Sequence, residues 1–171
     1  MDILKKQQYK SFSMSELKSA LDGKVRVITY DKLKEYKTID EALGPYGKLI
    51  ILYLTSEDYG HFVCIWKFNN EIIQFFDSYG DMVDRQLKYI PKYFIKESGQ
   101  SYPMLSLLLL KSKYEVRYNS FKLQQDKTTT CGRWCVYRLE KCNLNEYEFY
   151  NIFKNHKLKP DLLITYLTKN I

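Results

Sequence analysis

The stretch that decides the fold is Leu123-Gln-Gln-Asp-Lys-Thr-Thr-Thr-Cys-Gly-Arg-Trp-Cys-Val-Tyr-Arg138. Its first half is polar and contains three threonines in a row, which disfavour a helix. From Cys131 onward the pattern changes, because Cys131, Cys135 and Leu139 recur four residues apart and form one stripe of a helix. The pattern therefore predicts a loop that becomes a helix at Cys131.

A cysteine at such a position has the surroundings that activate a thiol. Thr130 or Thr129 would be the N-cap. The unpaired N–H groups and the positive end of the helix dipole would stabilise an anion at Cys131, and thiols lose their proton most readily in such places. Because Gly132 has no side chain, a substrate could approach the backbone N–H of Cys131 closely.

The composition is that of a globular protein. The chain has 171 residues, of which 45% are hydrophobic and 16% aromatic, and we expect a single domain over residues 1–171. Its apolar runs are far too short to span a bilayer, and its first residues lack the apolar segment of a signal peptide. We therefore expect a soluble intracellular protein with reduced cysteines. Cys135 and Cys142 would be ordinary core cysteines.

The net charge of +7 permits attraction to nucleic acid or another polyanion without specifying it. A structural zinc site is disfavoured, because no Cys-x-x-Cys pair occurs. His61 and Cys64 are also three residues apart in a predicted strand and point to opposite faces. The other histidine, His156, lies in a lysine-rich stretch and is expected at the surface. We expect no metal or coenzyme to be required.

Hydrophobic periodicity predicts a mixture of helices and strands. Helices are expected over residues 13–21, with a capping box, over 39–43, most of 81–99 with an interruption at Pro91, from 131, over 144–153 and from 160. Strands are expected over 25–30, 48–54, 59–68, 71–80 and 114–123. The strand 48–54 is predicted to be central and buried on both faces. Residues 102–110 fit either a short helix or a buried strand.

The strands 59–68 and 71–80 are expected to form a hairpin with His61 and Asp77 at the same end of the sheet. A two-residue turn at 69–70 would pair Asp77 with Phe62 and put His61 on the other face. A three-residue loop over 68–70 would pair His61 with Asp77 directly. If the two residues act together, the sequence predicts an odd loop, a bulge, or His61 just outside the ladder.

These residues supply the parts of a cysteine hydrolase. Such an enzyme needs a thiolate, a base, a group that orients the base, and donors for the oxyanion. Cys131 is the candidate nucleophile, His61 the base and Asp77 its orienting group. The side-chain amide of Gln124 or Gln125, together with the backbone N–H of Cys131, could form the oxyanion hole.

The order His, Asp, Gln, Cys resembles that of the adenain/Ulp1-like cysteine proteases, a permuted papain-like family. The motifs that carry the resemblance are Gly-His-Phe at 60–62, Phe-Phe-Asp-Ser-Tyr-Gly at 75–80 and Gln-Gln-Asp-Lys-Thr-Thr-Thr-Cys-Gly-Arg-Trp at 124–134. Maturation proteases of virophages and related large DNA viruses are the most similar members. The resemblance covers about residues 48–140 and implies an α+β fold, with a mixed central β-sheet flanked by helices and the nucleophile at a helix N-terminus.

The resemblance also implies the catalytic roles given above. Family members place the oxyanion glutamine six or seven residues before the cysteine, so Gln124 and Gln125 both qualify. We favour Gln124, because the apolar Leu123 precedes it as in adenain-like relatives. Many members carry Trp directly after the histidine, where this chain has Phe62, so the imidazole is expected to be covered differently.

By the same resemblance, the protein is expected to be a viral cysteine endopeptidase. It would process capsid or core precursors after glycine, at Gly-X or Gly-Gly-X sites, during virion maturation, in the virion and the host-cell cytoplasm. A monomer that acts away from membranes is expected, with DNA or a peptide as candidate activator. The alternatives are a deubiquitinase or SUMO-type deconjugating protease acting on host proteins, and a non-catalytic basic DNA- or capsid-binding protein with a protease fold.

Overall fold

A five-stranded sheet organises the chain, and helices pack on it. The computed structural model describes residues 1–171. The strands are β1 (Arg26–Thr29), β2 (Lys48–Ser56), β3 (Tyr59–Lys67), β4 (Ile72–Phe76) and β5 (Glu115–Tyr118). The α-helices are α1 (Asp2–Gln7), α2 (Met14–Ala20), α3 (Ile39–Leu43), α4 (Lys92–Glu97), α5 (Met104–Leu110), α6 (Cys131–Glu140), α7 (Glu146–Lys154) and α8 (Pro160–Leu167). The two 3-10 helices are Tyr30–Glu35 and Arg85–Tyr89.

The sheet is mixed, with the strand order β1-β2-β3-β4-β5. The outer pairs β1–β2 and β4–β5 are parallel, whereas β2–β3 and β3–β4 are antiparallel. This arrangement confirms the predicted α+β class with a mixed sheet flanked by helices. The prediction that residues 48–54 form a central strand buried on both faces is confirmed: β2 lies between β1 and β3 and is buried. The most central of the five strands is β3.

Alternation along β3 divides the core into two layers. Phe62, Cys64 and Trp66 belong to the layer that contains α6, and Val63 and Ile65 belong to the opposite layer, with α3 and α5. The Cys64 thiol lies 3.9 Å from a backbone carbonyl oxygen in the middle of α6, so this helix packs directly on the central strand. The sequence therefore places the start of α6 close to the end of β3 that carries the histidine.

The β3–β4 hairpin has an odd loop, but not the one expected. The ladder pairs Lys67 with Ile73 and ends at Cys64 and Phe76, so the loop is 69–71. The Asn69 side chain causes this shift, because its Oδ1 accepts hydrogen bonds of 2.8 Å from the N–H groups of residues 71 and 72. The predicted loop at 68–70 is wrong.

The same register decides where the candidate histidine and aspartate lie. Its extension would place Tyr79, not Asp77, opposite His61, so the predicted direct pairing of those two residues is also wrong. The expectation that His61 lies just outside the β3–β4 ladder is confirmed. Because the loop has an odd number of residues, His61, Asp77 and Tyr79 remain on the same face of the sheet. Their side chains can therefore still meet.

Strand β5 is shorter than predicted, because the Asn119 side chain makes the hydrogen bonds to β4 that a longer strand would make. A strand was expected over 114–123, but β5 ends at Tyr118. The next residue, Asn119, accepts a hydrogen bond of 3.1 Å from the backbone N–H of Asp77 and donates one of 2.6 Å to its carbonyl oxygen. The amide thereby replaces a ladder rung, and the backbone at Asp77 is held without a neighbouring strand.

Close contact between β2 and β3 fixes the backbone next to the histidine. A Cβ atom on Gly60 would lie 1.8 Å from the carbonyl oxygen of Tyr53. Only glycine therefore allows the two strands to approach at this point. His61 follows directly and pairs with Tyr53 in the β2–β3 ladder, so its backbone position is set by this contact.

The remaining elements mostly follow the predictions. The capping box of α2 joins Ser13 and Glu16, α8 begins with Pro160, and residues 104–110 form a helix rather than a strand. The stretch 81–99 is mostly helical and is interrupted at Pro91, as the sequence predicts: it forms the second 3-10 helix and α4, and Pro91 between them cannot continue a helix. Helix α1 was not predicted. None of the helices has the length and apolar character needed to cross a membrane.

Candidate active site

The candidate nucleophile lies at the start of α6, as predicted. Cys131 is its first residue, and 9% of its surface is exposed. Thr130 occupies the N-cap position, but no side chain caps the helix. The prediction of Thr130 as the N-cap residue is therefore confirmed. Its hydroxyl makes no capping hydrogen bond, however, because it donates to Asp161, and the Thr129 hydroxyl donates to the carbonyl oxygen of Gln8. The backbone N–H of Cys131 consequently has no acceptor in the chain.

The candidate base and its orienting group are in direct contact. The Nε2 atom of His61 lies 2.8 Å from Oδ1 of Asp77, and both side chains are buried. Asp77 also accepts hydrogen bonds from the backbone N–H of Tyr79, at 2.8 Å, and from Nε2 of Gln86, at 2.9 Å. Since Asp77 engages Nε2, Nδ1 is the ring nitrogen left for Cys131.

An aromatic ring covers the imidazole, but it is not the residue after the histidine. Tyr79 stacks on His61 with ring centroids 4.7 Å apart and an interplanar angle of 21°. Phe62, which stands where many resembling proteases have Trp, is buried in the core layer of α6. The sequence did not predict that Tyr79 covers His61, because nothing in it indicates that these two residues lie opposite each other in the hairpin.

The pKa of His61 reflects two opposing influences. Burial is the largest and lowers it, but the charge and hydrogen bond of Asp77, with Cys131 as a further contributor, raise the pKa from 6.5 to about 10. Burial and the charge of Cys131 also raise the pKa of Tyr79. The imidazole is therefore held as a cation at neutral pH, and this cation favours an anionic partner.

The two candidate glutamines have different surroundings. The Gln124 side chain is buried. Its Oε1 accepts a hydrogen bond of 2.6 Å from the Ser78 hydroxyl, and its Nε2 donates one of 2.9 Å to the carbonyl oxygen of Thr128. One amide N–H of Gln124 remains without an acceptor in the chain. Gln125 is exposed, and the structure brings only Gln124 to the cavity that contains His61 and Cys131.

Two cavities meet at Cys131. The polar cavity, about 520 Å³, is lined by His61, Tyr79 and Gln124 among others. The apolar cavity, about 280 Å³, is lined by Phe12, Met14, Leu52, Leu54 and Phe62, and also by polar residues that include Glu57 and Asp58. The residues that line both are Tyr59, Gly60 and Cys131. A chain that passes from one cavity to the other would therefore pass over the thiol.

Gly132 has two roles: it leaves the predicted space for a substrate beside Cys131, and it allows two helices to pack closely. It lines the apolar cavity, in keeping with the expected approach of a substrate. A Cβ atom there would lie 3.0 Å from Cδ2 of Leu17, so its small size also lets α2 pack against α6.

The other cysteines and histidine lie outside this site. Cys64 and Cys135 are buried in the core, Cys142 is partly buried, and all the cysteines are free thiols. Cys64 faces the core layer of α6, and His61 lies beyond the end of the ladder, where it contacts Asp77. His156 is exposed, as predicted.

The comparisons with known proteins identify a viral family. No protein-family model matches the chain. The chain is 41% identical over 174 residues to "Uncharacterized protein V9" of Sputnik virophage, and the match covers 98% of this chain and 99% of that protein. The chain therefore belongs to the same family as this virophage protein. Because the name of V9 states no activity, the expected maturation protease stays a prediction.

Two solved structures are similar at a lower level. One is ChlaDub1 from Chlamydia trachomatis, with a TM-score of 0.44 and 12% identity over 92% of this chain and 72% of that chain. The other is the ASFV pS273R protease, with a TM-score of 0.43 and 10% identity over 88% of this chain and 62% of that chain. This chain thus spans less than two thirds of the second protein. Similarity at this level establishes no shared activity.

The raised pKa of His61 predicts how stability depends on pH. A group whose pKa is higher in the folded state contributes stability that is full below its unfolded value, here 6.5, and is lost as the pH rises through about 10. The Asp77→Asn substitution removes the main cause of the rise. We therefore expect the wild type to have a larger free energy of unfolding than Asp77→Asn at about pH 7. This difference should decrease as the pH is raised to about 10. Urea unfolding of both proteins measures this, and a gap that stays constant over the range would contradict the ion pair.

Proposed function

We propose that the protein is a cysteine endopeptidase, with Cys131 as nucleophile, His61 as acid and base, and Asp77 as the group that orients the imidazole. The observation that supports this most is the buried 2.8 Å contact of Asp77 with His61, because His61 lines the same cavity as Cys131. A cysteine with only a packing role needs no imidazole beside it. A buried ion pair is also costly to desolvate, so it is weak evidence for a stabilising role.

The proposed reaction proceeds in two steps. The Cys131 thiolate attacks the scissile carbonyl carbon and forms a C–S bond, and the carbonyl oxygen becomes an oxyanion. As the C–N bond breaks, the His61 imidazolium gives its proton to the leaving amine. Neutral His61 then takes a proton from water, whose oxygen attacks the thioester. The acid is released, and the thiolate and imidazolium are restored.

Two donors are proposed for the oxyanion. The backbone N–H of Cys131 has no other acceptor, and Gln124 has one amide N–H free while its oxygen and its other N–H are fixed by Ser78 and Thr128. A neutral amide that is held in advance stabilises a developing negative charge without reorganisation. Gln124 is therefore proposed as the oxyanion residue in preference to Gln125.

We propose that the substrates are viral capsid or core precursors, cut after glycine at Gly-X or Gly-Gly-X sites during virion maturation, in the virion and the host-cell cytoplasm. Membership of a virophage protein family supports a viral role, and the resemblance of the motifs supports the glycine. The leaving group would occupy the polar cavity, because His61 must reach its nitrogen. The acyl side of the substrate would then occupy the apolar cavity.

An activator is proposed for a basic cleft beside the site. A third cavity, about 310 Å³, has no acidic residue in its lining, and its basic residues are Lys122, Lys154, His156, Lys157 and Lys159. Lys122 also lines the polar cavity, so a bound polyanion would lie close to the proposed catalytic residues. We propose DNA as this activator, acting on a monomer, with no metal or coenzyme.

Peptide cleavage tests the proposed function. An internally quenched peptide with an apolar residue before Gly-Gly-X should be cut after glycine, and the same peptide with Ala-Ala should not. The Cys131→Ala variant is the control, and each reaction is run with and without duplex DNA. Fluorogenic ubiquitin is assayed in parallel, and its preferential cleavage would favour the deconjugating alternative. DNA binding without cleavage of any of these substrates would favour the non-catalytic alternative.

A pair of substitutions tests the oxyanion donor. Gln124→Ala should lower kcat by about 10²- to 10³-fold, which is typical for the loss of one oxyanion-hole donor. Gln125→Ala is the matched control: it removes an exposed side chain of the same type, so it should leave kcat nearly unchanged. Steady-state kinetics on the peptide measures both, with unfolding curves to show that each variant is folded. Equal losses from the two variants would contradict a single glutamine donor.

A further inference from the structure

A fully buried carboxylate lies behind the site, on a helix that the proposed reaction does not use. Asp161 is in the first turn of α8 and has no exposed surface. No basic side chain pairs with it. A buried carboxylate without a counter-ion is tolerated only when hydrogen bonds satisfy its oxygens.

Four donors surround the two carboxylate oxygens. Oδ2 accepts a hydrogen bond of 2.7 Å from the backbone N–H of Gln125 and one of 3.0 Å from the hydroxyl of Thr128, which also lies 3.0 Å from the carbonyl oxygen of Gln125. Oδ1 accepts one of 2.6 Å from the hydroxyl of Thr130 and one of 3.0 Å from the indole N–H of Trp134. All four donors belong to one segment, residues 125–134, which is 27 to 36 residues earlier in the chain.

Each oxygen holds a different part of the proposed oxyanion hole. Oδ2 holds Thr128, whose carbonyl oxygen accepts the hydrogen bond from Gln124 Nε2, and it also holds the residue that directly follows Gln124. Oδ1 holds residues on both sides of Cys131, at the N-cap and in the first turn of α6. One carboxylate therefore links the loop that holds the glutamine amide to the start of α6, where the N–H of Cys131 lies.

We propose that Asp161 is a positioning residue for the oxyanion hole, an inference that rests on the proposed function. A carboxylate suits this role, because its two oxygens together accept four hydrogen bonds and donate none. Asparagine at the same place would direct an NH2 group at two of the four donors. Asp161→Asn therefore keeps the shape of the side chain but loses hydrogen bonds on one side. The lost bonds are those to the loop after Gln124 or those to the start of α6.

Two reactions of the same thiol separate this role from a general loss of structure. Acyl transfer needs the oxyanion hole, whereas alkylation by iodoacetamide forms no oxyanion and needs only the thiolate. The Asp161→Asn variant should lower kcat for N-acetylglycine p-nitrophenyl ester by about 10- to 100-fold, as misplacement by about 1 Å does. The alkylation rate of Cys131 should stay within about twofold of the wild type, since the substitution leaves His61 and Asp77 in place.

A second readout needs no turnover. Amide hydrogen exchange of residues 124–131 should rise in Asp161→Asn, because the anchor of this segment is lost. Ile164→Val is the matched control: it changes a fully buried residue of the same helix outside the hydrogen-bonded network. This control should change neither the ratio of ester hydrolysis to alkylation nor the exchange of residues 124–131.

The outcomes distinguish failure of this inference from failure of the proposed function. A parallel fall in hydrolysis and alkylation, or unchanged exchange of residues 124–131, would overturn the positioning role of Asp161. If the wild type hydrolyses the ester no faster than Cys131→Ala, with and without duplex DNA, the endopeptidase proposal fails, and with it an oxyanion role for Asp161. Increased exchange in that case would leave Asp161 only as an anchor of the loop.

Discussion

The buried contact between His61 and Asp77 is the interaction on which the site depends. Neither charge is stable alone in a buried position, and removal of one partner of such a pair typically costs about 3–5 kcal/mol. The surrounding chain therefore has to hold both side chains in place. The close approach of β2 and β3 at Gly60 sets the backbone of the histidine. Asn119 sets the backbone of Asp77, and donors from Tyr79 and Gln86 fix the orientation of its carboxylate.

The thiol reaches this pair through a different part of the fold. Helix α6 packs on the central strand, and its first residue lies where uncapped N–H groups meet an imidazole held as a cation. Both features would stabilise the thiolate that the proposed reaction uses. The loop before α6 is held from behind by the Asp161 carboxylate. The candidate site thus combines the ends of β3 and β4, the start of α6 and the first turn of α8, which are distant in sequence.

The parts of the fold that depend on local pattern were predictable. The loop-to-helix change at Cys131 and the capping box at Ser13 both follow from a few neighbouring residues. The parts that depend on side-chain hydrogen bonds were not. The Asn69 amide shifts the hairpin loop by one residue. The Asn119 amide ends β5 early, although residues 114–123 alternate like a strand. Tyr79, Gln86 and Asp161 were also missed, because their contacts with the site depend on the register and on a helix at the other end of the chain.

The measurement that tests the central claim most directly is site-resolved alkylation of the folded protein by iodoacetamide between about pH 4 and 9. The cation at His61 predicts fast alkylation of Cys131 below about pH 7, far ahead of the partly buried Cys142 and strongly slowed in His61→Ala. An alkylation rate of Cys131 that rises only near pH 8.5, as for an ordinary thiol, and is the same in His61→Ala would contradict an activated thiolate.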